Sequence, residues 1–205
     1  MTVIVDYGVG NLFSLSCSLR AIGEESVITS DRTVIESADR ILLPGVGAFR
    51  DAMEKLRLSG VIESLFAAAS RGVPILGICL GMQLLFDKSY EYGEHEGLGL
   101  IKGEVAPIPA AGVKIPHMGW NALSFGERKH PLFRYCEEGD CVYFVHSYAA
   151  VGCDEAVIAR TEYGSPVTAA VARKNVMGCQ FHPEKSGAVG LRILKAFCEE
   201  KEGSL

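Results

Sequence analysis

The sequence has no excess of positive charge. Its 205 residues include 20 Lys and Arg against 25 Asp and Glu, which makes the formal net charge −5 at pH 7. Binding to a phosphate backbone requires a broad basic surface, and this balance does not supply one. We therefore expect no nucleic-acid partner.

Long apolar runs are missing as well, and no signal peptide is expected. The apolar stretch 67–78 is interrupted by serine, arginine, glycine and proline, and no segment approaches the roughly 18 consecutive apolar residues of a membrane span. The chain begins directly with a strand pattern at 3–6, without the basic and apolar regions of a signal peptide. We expect no membrane partner and a cytoplasmic location.

Metal-binding spacings are also lacking. The seven cysteines contain no C-x-x-C pair, and the five histidines contain no H-x-x-x-H pair. An odd number of cysteines without regular spacing is typical of reduced thiols in a cytosolic protein. We expect no disulfide framework and no metal site.

A nucleotide-binding loop is incomplete. Gly8-Val9-Gly10 follows the first predicted strand, but Phe13 stands where a dinucleotide loop has its third glycine. We interpret the segment as a turn in which Asn11 caps the following helix. No cofactor is expected.

What the sequence does contain is an alternation of strand and helix patterns over its first ninety residues. Such alternation predicts right-handed crossovers and a parallel sheet covered on both faces. From residue 97 onward, shorter segments with many turn residues predict antiparallel strands that continue the sheet. The expected fold is an α/β three-layer sandwich, with a mostly parallel central sheet extended by antiparallel strands, in a single domain over 1–205. The predicted strands are 3–6, 26–29, 41–43, 74–78, 98–107, 115–125, 141–150, 156–161, 167–173 and 176–181, and the predicted helices are 11–22, segments within 49–69, 80–86 and 186–200.

A cysteine lies at the junction of a predicted strand and a predicted helix. In Gly77-Ile78-Cys79-Leu80-Gly81, a glycine stands two residues to either side of the cysteine. A nucleophile on a sharp strand-to-helix turn requires such glycines, because the strand and the helix approach too closely for side chains. The alternative is a buried structural cysteine, but the flanking glycines favour a nucleophile.

A possible base and its orienting carboxylate lie close together near the C-terminus. His182 and Glu184 are two residues apart, so on an extended backbone their side chains point to the same side. A carboxylate on one imidazole nitrogen leaves the other nitrogen free to exchange a proton with sulfur. Alone, the pair could be a surface turn; together with Cys79 it predicts a catalytic triad.

Backbone donors for a developing oxyanion are the third requirement of acyl transfer. The segment Leu43-Pro44-Gly45-Val46-Gly47 ends a predicted strand and supplies two glycines, which allow N–H groups to turn toward a ligand. We predict an oxyanion hole formed by Leu80 and by the loop at Val46 and Gly47. The alternative is an ordinary strand-to-helix turn.

These three elements on an α/β sheet resemble the class I glutamine amidotransferases. The segments 77–83 and 182–184 are similar to that family's nucleophile signature and to its remaining catalytic pair. Four further segments, 6–12, 43–49, 116–121 and 143–148, are similar to the branch of the family that serves histidine biosynthesis.

The resemblance implies hydrolysis of glutamine to glutamate and ammonia. It also implies a heterodimer with a (β/α)8-barrel cyclase, which uses the ammonia to form imidazole glycerol phosphate and aminoimidazole carboxamide ribotide. By the same resemblance, glutamine is held by Gly47, Gln83, Glu91, His146, Ser147 and Tyr148. The partner is contacted by Asn11, Met118, Trp120, Tyr143 and Lys185.

Three other functions remain open at this point. One is a different class I glutaminase, such as the subunit that feeds pyridoxal phosphate synthesis; the segment Pro116-His117-Met118-Gly119-Trp120-Asn121 argues against it. Another is a non-catalytic binding module, although such a protein is expected to lose at least one member of the triad. The third is a cysteine protease or esterase.

Overall fold

The fold is built on an eight-stranded sheet. The computed structural model describes residues 1–109, 112–126 and 128–201. Its strands are β1 (Thr2–Val5), β2 (Ser26–Thr29), β3 (Arg40–Gly45), β4 (Ile75–Cys79), β5 (Lys88–Ser89), β6 (His95–Glu96), β7 (Glu104–Pro107), β8 (His117–Ala122), β9 (Ser124–Phe125), β10 (Cys141–His146), β11 (Tyr148–Val151), β12 (Val157–Glu162), β13 (Pro166–Arg173) and β14 (Val176–Cys179). Its α-helices are α1 (Leu12–Ala21), α2 (Arg32–Glu36), α3 (Phe49–Leu58), α4 (Ile62–Arg71), α5 (Leu80–Leu84) and α6 (Gly187–Cys198).

The central sheet has the strand order β2-β1-β3-β4-β14-β13-β12-β9. The first five strands in this order run parallel to one another. Strands β13, β12 and β9 then continue the sheet in antiparallel pairs. The predicted fold class is confirmed.

Two hydrophobic layers cover the sheet because successive side chains of a strand point to opposite faces. In β3, Ile41 and Leu43 pack into one layer and Leu42 into the other. The first layer contains the buried residues of α2, α3, α4 and α5. The second contains those of α1 and α6. Each central strand therefore supplies both cores, which explains its continuous apolar run.

The region after residue 97 differs from the prediction. Only part of it joins the central sheet: β8 and β10 form a separate two-stranded sheet, and β7 and β11 form a four-stranded one with β5 and β6, which precede residue 97. The strand expected to be antiparallel at 176–181 is β14, which pairs parallel with β4 in the middle of the sheet. Strand patterns alone do not determine partners, because pairing depends on contacts between residues far apart in sequence.

Two local predictions at helix starts were also incomplete. Asn11 occupies the N-cap position of α1, but its side chain makes no capping hydrogen bond, so the predicted cap is wrong. Helix α2 was not predicted, although Asp31 caps it by accepting a hydrogen bond from the Thr33 N–H at 2.8 Å. An aspartate before a short apolar-periodic segment was the signal for this helix.

The single-domain prediction over 1–205 includes positions 110, 111, 127 and 202–205, which lie outside the described residues, and it stays a prediction. Among the helices that are described, none combines the length and the apolar character that crossing a membrane requires.

The topology places three loops at one edge of the sheet. Strands β3, β4 and β14 are neighbours and parallel, so their carboxyl ends meet. Val46 follows β3, Cys79 is the last residue of β4, and Gln180 follows β14. Groups for chemistry commonly gather at such an edge in an open α/β sheet.

Candidate active site

Cys79 has a strained backbone at the end of β4. Its φ is 54° and its ψ is −112°, a combination that residues other than glycine rarely adopt. Strain of this kind persists only where the surrounding structure imposes it, and it is common at active sites. The turn is the one the sequence predicted, and it leads directly into α5.

The glycines beside Cys79 are required by close packing. A β-carbon at position 77 would lie 2.7 Å from the backbone of Gly81 and Met82, and one at position 81 would lie 1.8 Å from the carbonyl oxygen of Leu43. Neither distance is tolerable for a non-bonded pair. The two glycines therefore allow α5 to lie against β3 and β4, which fixes the turn that holds the cysteine.

His182 and Glu184 form a buried pair. The Nδ1 atom of His182 lies 2.8 Å from Oε1 of Glu184, and both side chains are almost fully buried. The backbone differs from the predicted extended form, because Pro183–Lys185 is a 3-10 turn with His182 at its start. Proline fits the first position of a helical turn, where its missing N–H is not needed.

The pair is held in place by β10. The backbone N–H of His182 donates to the Tyr143 carbonyl at 3.0 Å. The Ser186 hydroxyl donates to the His182 carbonyl at 2.6 Å and accepts from the Tyr143 N–H at 3.0 Å. These contacts fix the imidazole from both ends of the turn.

His182 interacts with Cys79 as well as with Glu184. Burial lowers the pKa of His182, but hydrogen bonds to Cys79 and Glu184 and the negative charges of both groups outweigh it and raise the pKa to about 9. An imidazole that stays protonated at neutral pH stabilises a neighbouring thiolate. The geometry is compatible with the predicted roles of Cys79, His182 and Glu184 as nucleophile, proton carrier and orienting carboxylate.

A cavity of about 230 Å³ opens above the sulfur. It brings together Cys79 and His182 with every residue predicted for the oxyanion hole and for glutamine. Val145 and Lys185 also line it. The predicted residues on its wall are Val46, Gly47, Leu80, Gln83, Glu91, His146, Ser147 and Tyr148.

The sequence matches the family model "Glutamine amidotransferase class-I" over residues 3–200. The chain belongs to the class I glutamine amidotransferases. The resemblance drawn from the sequence motifs is therefore confirmed.

Curated relatives support the narrower resemblance. The chain is 52% identical over 199 residues to the imidazole glycerol phosphate synthase subunit HisH of Lactococcus lactis, covering 97% of this chain and 98% of the relative. It is 50% identical to the protein of the same name from Wolinella succinogenes, with coverage of 97% and 99%, and 49% identical to that from Aquifex aeolicus, with coverage of 98% and 97%.

Solved structures share the fold at low sequence identity. A structure described as a glutamine amidotransferase superposes with a TM-score of 0.75 at 19% identity, covering 96% of this chain and 97% of the other. The structure of PurLQS from Thermotoga maritima gives 0.74 at 22% identity, with 96% coverage of each chain.

A network of side-chain amides joins the amidotransferase cavity to the sulfur. The Gln83 amide nitrogen donates to the Tyr148 carbonyl and to Oε1 of Gln180, both at 3.0 Å. The Gln180 amide nitrogen lies 3.8 Å from the sulfur of Cys79. Substrate binding by Gln83 stays a prediction; in the structure its amide bonds to Tyr148 and Gln180.

Glu91 lies beside the predicted oxyanion loop. Its Oε2 accepts a hydrogen bond from the Phe49 N–H at 2.6 Å, at the first residue of α3. The preceding glycine, Gly47, has a φ of +96° and open space around it. Glu91 therefore lines the cavity and also binds the backbone just after the loop at Val46 and Gly47.

His146 is a buried neutral histidine on the cavity wall. Its Nδ1 donates to the Tyr148 carbonyl at 2.8 Å, and its Nε2 lies 2.9 Å from His117 Nδ1. Burial is the main reason that the pKa of His146 falls to about 4, with positive charge on His117 and His182 acting in the same direction. The hydrogen bond between His146 and the Tyr148 carbonyl spans Ser147, which links β10 to β11.

Sequence reasoning missed two buried residues near Cys79. The Tyr7 hydroxyl donates to the Pro44 carbonyl at 2.7 Å, and burial followed by the charge of Cys79 raises the Tyr7 pKa. Gln180 contacts the sulfur itself. The signal for Gln180 was its position two residues before His182 at the end of a strand, but the pattern gave it no role.

Four of the residues predicted to face a partner form one surface beside the cavity, namely Met118, Trp120, Tyr143 and Lys185. Met118 is 62% exposed and Trp120 55% exposed, on the same side of β8. The Trp120 ring meets the Tyr143 ring edge to face at 6.0 Å, and Lys185 Nζ lies 6.0 Å from the Tyr143 ring centre. Asn11 is partly buried before α1. Lys185 joins this surface to the cavity, because it lines both.

Proposed function

We propose that this protein is the glutaminase subunit of an imidazole glycerol phosphate synthase. It hydrolyses glutamine to glutamate and ammonia, and the ammonia passes to a (β/α)8-barrel cyclase in a heterodimer. The cyclase uses it in histidine biosynthesis to form imidazole glycerol phosphate and aminoimidazole carboxamide ribotide. The observation that carries the proposal is that Cys79 and His182 line one small cavity, with Glu184 hydrogen-bonded to His182 behind it, in a chain about half identical to proteins that bear this name.

The first half of the reaction forms a thioester. The Cys79 thiolate attacks the side-chain carboxamide carbon of glutamine. The resulting oxyanion is stabilised by the Leu80 N–H and by an N–H of the loop at Val46 and Gly47; one such donor contributes roughly 10²–10³ in kcat. His182 gives its proton to the leaving nitrogen, the carbon–nitrogen bond breaks, and ammonia departs.

The second half regenerates the cysteine. Neutral His182 removes a proton from water, the hydroxide attacks the thioester, and the thiolate is expelled as glutamate forms. Glu184 holds the imidazole through Nδ1 in both steps, so that Nε2 carries the moving proton.

The cavity suits glutamine in size and charge. Its volume of about 230 Å³ fits a small amino acid. Glu91 supplies the negative charge that an α-ammonium group requires, and Gly47, Gln83 and the strand segment His146 to Tyr148 surround the rest of the molecule. No cofactor takes part in these steps.

The partner closes the cavity mouth. Met118, Trp120 and Tyr143 form an apolar surface that continues to Lys185 at the rim of the cavity. Ammonia released into bulk water is protonated and becomes a poor nucleophile. Contact between this surface and the cyclase keeps the ammonia in a water-poor path.

Uncoupled hydrolysis wastes glutamine, so the isolated chain is expected to turn over slowly. The freedom of the loop around Gly47 allows it to rest with a carbonyl facing the cavity until the loaded cyclase shifts it. The test is ammonia release by the isolated chain, by the complex, and by the complex with the cyclase's nucleotide ligand. Equal rates in all three would contradict this control.

The experiment for the function itself is co-purification with the cyclase, followed by a glutamine-dependent assay for imidazole glycerol phosphate. Wild type is expected to support product formation, and Cys79→Ala to abolish it with glutamine but not with added ammonia. If Cys79→Ala retains ammonia release from glutamine, the proposal is wrong. Reaction with peptide or ester substrates in place of glutamine would instead indicate a protease or an esterase.

A further inference from the structure

Gln180 is fully buried and anchored at the end of β14. Its side chain has no exposed surface, and its backbone N–H donates to the Ala169 carbonyl of β13 at 2.8 Å. The amide side chain therefore points from a fixed backbone into the protein, toward Cys79.

The orientation of this amide is determined by its neighbours. The Tyr148 carbonyl can only accept, so the Gln83 group 3.0 Å away from it must be the NH2. The second proton of that NH2 then points at Gln180, 3.0 Å away, so the atom it meets must be the Gln180 oxygen. Rotating either amide would bring two donors or two acceptors together. Gln180 is thus left with its NH2 facing the sulfur at 3.8 Å.

Ionisation of Cys79 makes this contact more favourable. The neutral thiol has the Val145 carbonyl as an acceptor at 4.0 Å. A thiolate cannot donate to that carbonyl, whereas it accepts well from an amide N–H. Cys79 is also only 7% exposed, so water supplies little of the solvation that the charge requires.

We propose that Gln180 is a further catalytic residue of the glutaminase reaction, whose amide N–H donates to the Cys79 sulfur in its thiolate form and is aimed there by Gln83. The inference rests on the proposed function. The contact assists both steps in which sulfur carries negative charge, namely attack on glutamine and expulsion from the tetrahedral intermediate of thioester hydrolysis. It contributes little to the thioester itself, because a thioester sulfur is a weak acceptor.

The test measures how alkylation of Cys79 depends on pH in the full chain. Iodoacetamide modifies the thiolate, and mass spectrometry of the peptide that contains Cys79 separates it from the exposed Cys141. Gln180→Met keeps the length of the side chain but lacks the N–H donor. We expect it to move the midpoint of the pH profile of Cys79 alkylation upward by about one pH unit. Gln180→Glu is expected to move it further, because a carboxylate replaces the donor with a like charge.

Two more variants separate donation from packing. Gln83→Met leaves the Gln180 amide without its orienting partner, and we expect a smaller upward shift. Cys179→Ala is the control: it changes the fully buried residue next to Gln180 and removes no hydrogen bond to the sulfur, so the midpoint is expected to stay at the wild-type value.

In the complex with the cyclase, kcat is expected to fall about 10-fold or more for Gln180→Met while KM changes little. Gln180 variants whose alkylation profiles superimpose on that of wild type would overturn the inference, and so would a Cys179→Ala shift as large as theirs. If Gln180→Met does not fold, Gln180→Glu and Gln83→Met still decide the question. Failure of the proposed function is a different result, since Cys79→Ala would then release ammonia whatever the alkylation profiles show.

Discussion

Gly81 lies directly against the carbonyl of Leu43, and a β-carbon at position 81 would lie only 1.8 Å from that oxygen. The contact joins the first turn of α5 to β3, the strand whose following loop is the proposed oxyanion loop. This one close approach of two backbones therefore positions α5, the turn at Cys79 and the loop at Val46 and Gly47.

Gly81→Ala is expected to destabilise the protein and to inactivate it. The added methyl meets backbone atoms that cannot rotate away, so the free energy of unfolding should fall by about 3 kcal/mol or more. Urea unfolding followed by circular dichroism measures the loss. Gly126→Ala is the matched control, because a β-carbon at position 126 meets nothing within 4 Å and the φ there is not positive; an equal loss in both variants would contradict the explanation.

The strand-to-helix turn at Cys79 was predictable from the sequence because the glycines that it requires are its near neighbours in the chain. Two glycines flanking a cysteine between a strand and a helix specify a close approach, whatever the rest of the chain does. The parallel position of β14 and the separate sheets of β7 and β8 were not predictable, because these pairings are decided by long-range contacts.

The pair of His182 and Glu184 shows how a correct contact can follow from an incorrect backbone. An extended chain and a 3-10 turn both bring these side chains together, so the predicted contact formed on the unpredicted conformation. Gln180 illustrates the opposite case. Its residue type and position were visible, but its orientation depends on Gln83 and on the Tyr148 carbonyl, which are far away in sequence.

Glutamine hydrolysis by the complex is expected to decline above pH 9. His182 has a raised pKa of about 9, so its imidazolium is present below that pH and is lost as the pH rises through it. Without the proton, the leaving nitrogen is not protonated and kcat/KM falls about tenfold per pH unit. Initial rates of ammonia release between pH 6 and pH 10 measure this decline, which is the alkaline limb of the pH profile.

Glu184→Gln provides the internal comparison for this profile. Loss of the carboxylate removes a negative charge that favours the imidazolium, so the alkaline limb should move to lower pH. Glu162→Gln, an exposed carboxylate, should leave the limb in place. A limb that moves equally in both variants, or in neither, would show that it does not report His182.

Acid is expected to destabilise the fold through His146. Its pKa is lowered from 6.5 to about 4 in the folded protein, so the unfolded chain binds the extra proton first as the pH falls. The associated stability is complete above pH 6.5 and is lost between 6.5 and 4, by about 3 kcal/mol. His182 has the opposite sign, because its raised pKa favours the folded state on the acid side.

A variant isolates the contribution of His146 from that of its neighbours. His146→Gln removes the titrating group while His117 and His182 remain, so its free energy of unfolding should change less than that of wild type between pH 7 and pH 4. Urea unfolding at several pH values measures both curves. Parallel curves would show that His146 is not the source of the acid sensitivity.

Trp120→Ala is expected to weaken binding of the cyclase. Trp120 is 55% exposed and its indole meets the Tyr143 ring on one side, so truncation removes a rigid apolar contact without opening the core. Aromatic anchors of this kind often contribute about 2 kcal/mol or more, which corresponds to an increase in Kd of roughly 30-fold. Isothermal titration calorimetry with the purified cyclase measures it.

The control for this loss is Val27→Ala. Val27 is 40% exposed on β2, the strand at one end of the central sheet, whereas β8, which carries Trp120, contacts β12 near the opposite end of that sheet. Its truncation removes exposed apolar surface far from Trp120 and should leave Kd unchanged.

Because Trp120 belongs to the surface at the cavity mouth, its loss should also let ammonia escape, so that product formed per glutamine hydrolysed falls even at saturating cyclase. A variant that binds weakly and yet keeps this ratio would place Trp120 at the interface but outside the path of ammonia.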